Sequence, residues 1–281
     1  MARWKFRSYE YNTAMFMNLA IALIGLAAGM LVNYLADILP VRRRLARPVC
    51  SRCGQPQHAH HYLFWPRRCK HCGTRRSWRT WIVEILAVAL ALWFRNSPEM
   101  QQRLGVVWGG LLLVYFAVIV VIDIELRLIL HSVSLFGVMF GAIIGIYLNG
   151  FWATLWGGMI GYGIMSGMYY LGILFTRVVT KLRDKPLDEV ALGFGDVNLA
   201  GVLGLMLGWP NIIIGLFLSI LSAGIVSLFF VLGKLLTRRH RGFTAIPYGP
   251  FLILGAVLLL FLPTFTQELL AGISPIFARV P

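Results

Sequence analysis

The chain has 281 residues, of which 58% are hydrophobic and 13% are charged. Soluble domains have a charged fraction of roughly 25%, so this composition excludes an ordinary soluble protein. The net charge of +15 would suggest a nucleic-acid partner in a soluble protein. Here the cations lie between apolar segments, where they indicate membrane topology and contact with anionic lipid. We therefore expect a partner in the lipid bilayer and none in nucleic acid.

Eight apolar segments follow one another along the chain. Several approach or exceed the roughly 20 residues with which an α-helix crosses a bilayer, and such continuous runs favour helices over the alternating pattern of barrel strands. We predict an all-α polytopic membrane protein with about eight transmembrane helices, of which the second and sixth are short. The predicted spans are 14–39, 81–94, 104–122, 128–148, 151–175, 197–207, 212–232 and 246–262.

The segment 40–80 differs sharply in composition from its surroundings. It holds eleven Arg and Lys residues, all four cysteines and four of the six histidines. Because cationic loops remain in the cytoplasm, we place this loop there and both chain termini outside. The chain then divides into a first helical segment, 1–39, a cytoplasmic module, 40–80, and a seven-helix membrane domain, 81–281.

The four cysteines form two CxxCG motifs, Cys50–Gly54 and Cys69–Gly73. Each CxxC turn supplies two thiolates, and two such turns complete the tetrahedral shell that zinc requires. The glycine after each motif suits the positive φ that such a turn needs. Disulfides are the alternative, but a reducing cytoplasm disfavours them. We predict a structural zinc site, to which the nearby histidines His58, His60, His61 and His71 are surplus, although one of them could replace a cysteine.

Two aspartates stand where apolar segments end. Asp123 closes the run 120–123, and Asp196 follows Gly193 and Gly195 in a GxGD motif before the sixth span. Charged groups at a membrane edge are costly and usually have a function or a partner. Two adjacent carboxylates that share a proton can activate a water and protonate a carbonyl, which is the chemistry of aspartic proteolysis. From these residues alone, ion pairing with nearby arginines is the more common role of acids at a membrane edge.

Three further acids have plainer interpretations. Asp37 is expected to pair with one of Arg42–Arg44, and Glu84 with an arginine. Glu125, two residues after Asp123, is expected to hold its loop or to meet a basic peptide.

These motifs, in their order along the chain, resemble those of the type IV prepilin peptidases, a family of GxGD membrane aspartic proteases. The resemblance covers most of the chain. Its segments are Gly29–Asn33, the two cysteine motifs, Arg79–Glu84, Ile122–Asp123, Gly193–Val197, Leu207–Pro210 and Ile246–Phe251.

The resemblance implies that Asp123 and Asp196 are catalytic and that Gly193, Gly195 and Glu125 lie near the substrate. It implies a bacterial inner-membrane enzyme that cuts prepilins and type II secretion pseudopilins on the cytoplasmic side. Such substrates have a short basic leader that ends in glycine, followed by an apolar helix. Family members with the cysteine loop often also methylate the new N-terminus with S-adenosylmethionine, and no residue is assigned to that step.

The sequence also departs from the family pattern. Leu130-His131 stands where the family usually has Pro-Asp, and Asn198 stands where it has lysine. Two other functions fit the residues alone. An ion or solute transporter would place its acids near the bilayer midplane, and a scaffold with a zinc module would not need the aspartates.

Overall fold

The computed structural model describes residues 2–50, 52–58, 61–62, 67–183, 193–236 and 247–273. Within these ranges the chain is helical, and its only extended pairing consists of two isolated antiparallel bridges, Val49–Pro56 and Arg68–Arg75. The chain separates into two compact units, Met1–Val121 and Ile122–Pro281.

The helices are α1 (Ala2–Arg42), α2 (Arg79–Asn96), α3 (Pro98–Gln102), α4 (Gly105–Leu126), α5 (His131–Asn149), α6 (Phe151–Arg183), α7 (Phe194–Leu207), α8 (Asn211–Leu236), α9 (Gly249–Phe261) and α10 (Pro263–Ile273). The prediction of an all-α fold is confirmed for the described residues.

In the first unit, α1 packs along α2. The two backbones approach closely where α1 has glycine: a Cβ built on Gly25 would lie 2.8 Å from the Cβ of Ala91, and one built on Gly29 would lie 2.9 Å from the Cα of Glu84. Small residues at such a crossing bring helices together through close van der Waals packing, which is the main source of helix association in a membrane. The cysteine loop lies between these two helices in the sequence.

In the second unit, α7 is the central helix. It packs against α5, α6, α8 and α9, and nine of its 14 residues are buried. Its tightest crossing is with α6, where a Cβ on Gly204 would lie 2.2 Å from the carbonyl oxygen of Gly157. Because α7 is surrounded by other helices, it does not need the full length of a lipid-exposed span.

Among the described residues, five helices are long and apolar enough to cross a membrane, or six if the bent pair α9 and α10 forms one span. The multi-pass prediction is therefore confirmed. Eight spans were predicted, and the two short ones, the second and the sixth, account for the difference between eight and six. The helix α7 has only 14 residues, and α2 carries three charged residues, Arg79, Glu84 and Arg95.

Candidate active site and metal centre

Asp123 lies on the last turn of α4, in the second unit. Its side chain is buried, with 4% of the residue exposed. The backbone N–H of Gly249, at the start of α9, donates a hydrogen bond of 3.1 Å to its Oδ2 atom. A Cβ on Gly249 would lie only 2.6 Å from that oxygen. Glycine at this position therefore allows the start of α9 to hold the carboxylate of Asp123 with a main-chain donor.

Asp196 lies on the first turn of α7 and is also buried, at 8% exposure. Its Oδ2 atom accepts a hydrogen bond of 3.2 Å from the N–H of Gly193, and its own N–H donates to the Gly193 carbonyl at 3.1 Å. A carboxylate in the first turn also interacts favourably with the positive end of the helix dipole. The GxGD motif thus builds a helix start that fixes its own aspartate.

The carboxylates of Asp123 and Asp196 lie near enough to interact electrostatically. They approach because the start of α7 packs on the segment that follows α4: a Cβ on Gly195 would lie 2.9 Å from the Cβ of Ile129. The fold therefore brings together the two aspartates that the sequence singled out. The N–H of Gly249, at the start of α9, holds Asp123. The N–H of Gly193, just before α7, holds Asp196.

The other residues predicted near the substrate have different surroundings. Gly193 is exposed, and, apart from its chain neighbours, Asp196 and Gly195 are the described residues with an atom within 4 Å of a Cβ built on it. Glu125 is exposed and lies two positions after Asp123, about 200° further around the helix. The role of Gly249 was not predicted from the sequence, although the residue lies within the motif Ile246–Phe251.

The four cysteines form one cluster in the first unit. The Sγ atoms of Cys50, Cys53, Cys69 and Cys72 all lie within 4.8 Å of one another. The distance between Sγ atoms is 3.6 Å for Cys50 and Cys72 and 3.7 Å for Cys53 and Cys69, which is too long for a disulfide bond of about 2.05 Å. The cluster could therefore hold a metal ion.

The two CxxCG motifs have the same backbone geometry. The N–H of Gly54 donates to the carbonyl of Cys50, and the N–H of Gly73 to that of Cys69, both at 2.9 Å. Their φ angles are +69° and +68°, so the predicted need for glycine is confirmed. Each motif also has an antiparallel bridge across its base. The metal cluster contains no histidine among the described residues, and His60 lies outside them.

The thiol spacing fits zinc. Four sulfur atoms placed tetrahedrally at a Zn–S distance of about 2.3 Å are separated by about 3.8 Å, close to the two measured pairs. The donor set is complete with four cysteines, so no coordination position is open to a substrate. The fit agrees with a structural rather than a catalytic ion.

Asp37, on α1, has partners other than those predicted. Its carboxylate forms ion pairs with Arg76, at 2.5 Å, and with Arg79, and it accepts a hydrogen bond from the Tyr62 hydroxyl. The expected pairing with Arg42–Arg44 was wrong, because these arginines lie at and just after the last residue of α1 and are exposed. Burial raises the pKa of Tyr62 well above its ordinary value, which keeps the phenol protonated as a donor.

Glu84, on α2, forms a buried ion pair with Arg67 from the cysteine loop. The distance between Oε2 and Nη1 is 2.9 Å, and the two side chains are only 4% and 7% exposed. The guanidinium of Arg67 also lies 4.6 Å from the centre of the Trp81 ring. The prediction that Glu84 pairs with an arginine is confirmed. Together with Arg76, this contact attaches the cysteine loop to the two helices that flank it.

A cavity of about 370 Å³ lies in the second unit. Three helices line it, α5, α6 and α7, and its surface is almost entirely apolar. His131 and Asn198, the two positions that depart most clearly from the family pattern, both line it. The sequence contained no indication that these two residues share one cavity.

The described fold and site define a multi-pass helical membrane protein with two buried, electrostatically interacting aspartates at helix ends and a four-cysteine cluster. A family model described as the type IV leader peptidase family matches residues 110–228, a range that includes both aspartates. Similar proteins carry the name prepilin leader peptidase/N-methyltransferase. That of Aeromonas hydrophila is 29% identical over 245 residues, 82% of this chain and 77% of that protein.

The corresponding protein of Legionella pneumophila is 25% identical over 287 residues, 89% of this chain and 93% of its own. That of Bacillus subtilis (strain 168) is 25% identical over 222 residues, 76% of this chain and 80% of its own. The part of the chain that holds both aspartates is therefore similar to the type IV leader peptidase family. No solved structure matches it significantly.

Proposed function

We propose that the protein is a membrane aspartic endopeptidase that removes the leader peptides of type IV prepilins and type II secretion pseudopilins. The observation that supports this most directly is the pair Asp123 and Asp196, both at most 8% exposed and near enough to interact electrostatically. Relatives named prepilin leader peptidase/N-methyltransferase support the same activity.

In the proposed mechanism the two carboxylates share one proton, because two adjacent charges in a site of low dielectric are unfavourable. The ionised aspartate takes a proton from a water, whose oxygen attacks the scissile carbonyl carbon. The protonated aspartate donates its proton to the carbonyl oxygen. The tetrahedral intermediate then collapses: the second aspartate takes a proton back from one of the intermediate's two hydroxyl groups as the C–N bond breaks, and the proton held by the first aspartate passes to the leaving amine. The Gly249 and Gly193 amides keep the two carboxylates oriented through these steps.

We propose that the site faces the cytoplasm of a bacterium, at the edge of the inner membrane, with both chain termini outside. The ends of α4 and α7 that carry the aspartates support a position at a membrane edge rather than at its midplane. The basic loop 40–80 supports the orientation. The leader of the substrate would then approach from the cytoplasm while its apolar helix stays in the bilayer.

We propose zinc as the ion of the four-cysteine cluster. Cys50, Cys53, Cys69 and Cys72 would hold it, and it would maintain the loop from which Arg67 and Arg76 reach Glu84 and Asp37. Such an ion supplies folding free energy and no chemistry.

We propose N-methylation of the new N-terminus as a second activity, because the relatives carry N-methyltransferase in their name. Its methyl donor would be S-adenosylmethionine. The apolar cavity between α5, α6 and α7 does not fit a nucleoside with a charged sulfonium and a carboxylate.

The peptidase activity is tested by co-expression of a prepilin with the wild-type protein, with Asp123→Asn and with Asp196→Asn. We expect the wild type to release the mature pilin and each variant to leave it uncut. Glu268→Gln is the matched control, because that carboxylate is exposed, and it should cleave normally. The N-terminal sequence and mass of the mature pilin report the cleavage position and any added methyl group.

Full cleavage by either aspartate variant would contradict the proposed pair. The comparisons give no support to a transporter, which would show uphill solute flux in vesicles and no cleavage. A scaffold would tolerate both aspartate changes and fail when the cysteines are replaced.

A further inference from the structure

Tyr248 lies directly before the glycine whose amide holds Asp123. It caps the start of α9, and its backbone carbonyl accepts the N–H groups of Phe251 at 3.0 Å and of Leu252 at 3.2 Å. The N–H of Gly249, its neighbour in the chain, donates to Oδ2 of Asp123. The first turn of α9 therefore fixes the backbone of Tyr248 beside the aspartate site.

The hydroxyl group of Tyr248 lies inside the protein. The residue as a whole is half-buried, but its hydroxyl oxygen is buried and has no hydrogen-bond partner among the described residues. The hydroxyl also lies near enough to Asp196 for the two groups to interact electrostatically. Tyr248 is thus connected to both aspartates, to Asp123 through the amide that follows it and to Asp196 through its side chain.

A buried hydroxyl without a partner is unfavourable. A phenol carries one donor hydrogen, and burying this donor unpaired costs desolvation that no hydrogen bond offsets. Other tyrosines of the chain show the usual arrangement, since the hydroxyl of Tyr34 donates to the carbonyl of Ala46 and that of Tyr62 to the carboxylate of Asp37. Unpaired buried polar groups are few in native proteins and can mark a catalytic role. The donor of Tyr248 is therefore available to a group that enters the aspartate site.

We propose that the hydroxyl of Tyr248 donates a hydrogen bond to the scissile carbonyl oxygen and stabilises the negative charge that this oxygen gains during attack. This inference rests on the proposed peptidase function and adds a third catalytic residue to the two aspartates. In that mechanism the carbonyl group must lie between the two carboxylates, and Tyr248 is connected to both of them. The hydroxyl keeps its proton throughout, so the transfer of protons among the aspartates, the water and the leaving amine is unchanged.

The carbonyl oxygen is the reacting atom that most needs a further donor. The attacking water gives up a proton and needs an acceptor, and each carboxylate already accepts a backbone N–H. The carbonyl oxygen instead gains charge, and the protonated aspartate supplies only one donor to it. A preorganised donor in a site of low dielectric stabilises such a charge, and its removal typically lowers kcat by about 10²–10³-fold. A direct bond from Tyr248 to Asp196 is the alternative, and the described residues show none.

The experiment uses Tyr248→Phe in the full-length protein, because this change removes the hydroxyl and keeps the ring. Prepilin cleavage is measured in detergent micelles as kcat and KM, across the pH range in which the wild type is active. Tyr170→Phe is the matched control, since Tyr170 is 64% exposed on α6. We expect Tyr248→Phe to lower kcat about 100-fold with little change in KM and with the pH dependence of the wild type. Tyr170→Phe should cleave normally.

A stability measurement separates this role from a structural one. Because the hydroxyl is unpaired, its removal should leave the free energy of unfolding in mixed micelles unchanged or raise it, and a clear loss would overturn the proposal by showing a partner within the folded protein. Cleavage by Tyr248→Phe at the wild-type rate would also overturn it. So would a shifted pH dependence, because the hydroxyl would then act on the Asp196 carboxylate and not on the substrate. Absence of cleavage by the wild type would instead contradict the proposed peptidase function itself.

Discussion

Replacement of Glu84 by glutamine tests the buried ion pair that connects the cysteine loop to α2. The carboxylate and the Arg67 guanidinium are 2.9 Å apart and at most 7% exposed. At that distance the attraction is about 6 kcal/mol with an effective dielectric constant of about 20, largely offset by desolvation of both charges. Removing one partner leaves the other charge buried, at a cost of about 3–5 kcal/mol. Glutamine keeps the shape of the side chain and an acceptor oxygen, so we expect a loss of about 3 kcal/mol, the lower end of this range.

The free energy of unfolding is measured by SDS titration in mixed micelles, with proteolysis of the cysteine loop as the readout. Glu268→Gln is the control for loss of an exposed carboxylate, and we expect it to change the free energy by no more than about 0.5 kcal/mol. Adding Arg67→Met to Glu84→Gln removes the unpaired charge and keeps an apolar contact with Trp81. The double variant should return to within about 1 kcal/mol of the wild type.

Two results would refute this reasoning. If Glu84→Gln destabilised the protein no more than the control, the guanidinium of Arg67 would have to reach water in the folded state. If the double variant were as unstable as Glu84→Gln alone, the loss would come from Glu84 packing and not from an uncompensated charge.

Three further predictions concern the second unit and the metal. Gly249→Ala should lower the rate of prepilin cleavage at least about tenfold with little loss of stability, because the new Cβ would displace the Asp123 carboxylate. The control Gly163→Ala, which has open space around it, should cleave normally. Gly204→Ala should lower the free energy of unfolding by about 1–3 kcal/mol, since its Cβ would meet the Gly157 backbone. Gly224→Ala, which lies in open space, should leave the free energy of unfolding unchanged or raise it slightly. Unfolding in mixed micelles measures both values. Elemental analysis of the purified wild-type protein should find one zinc ion per chain. The Cys69→Ser variant should lack this zinc, and the control His71→Ala should keep it. A metal-free wild type would contradict the site.

The local features of this protein could be predicted from its sequence. Long apolar runs determine membrane helices because a backbone in lipid must satisfy its hydrogen bonds within one segment. The CxxCG motifs determine a thiol turn because the two ligands and the glycine with positive φ are neighbours in the chain. The aspartates were recognisable as unusual because each stands at the end of an apolar run. The pairing of Glu84 with an arginine followed from the cost of a lone buried charge.

Only the tertiary structure decided which distant residues meet. Asp123 approaches Asp196 because glycine lets the start of α7 pack on Ile129, and Gly249 reaches Asp123 through the packing of another helix. Asp37 binds Arg76 and Arg79 rather than its sequence neighbours for the same reason, and His131 and Asn198 line one cavity that neither local motif indicates. Such contacts depend on which helix faces fit together, a property of pairs of segments that no single segment contains.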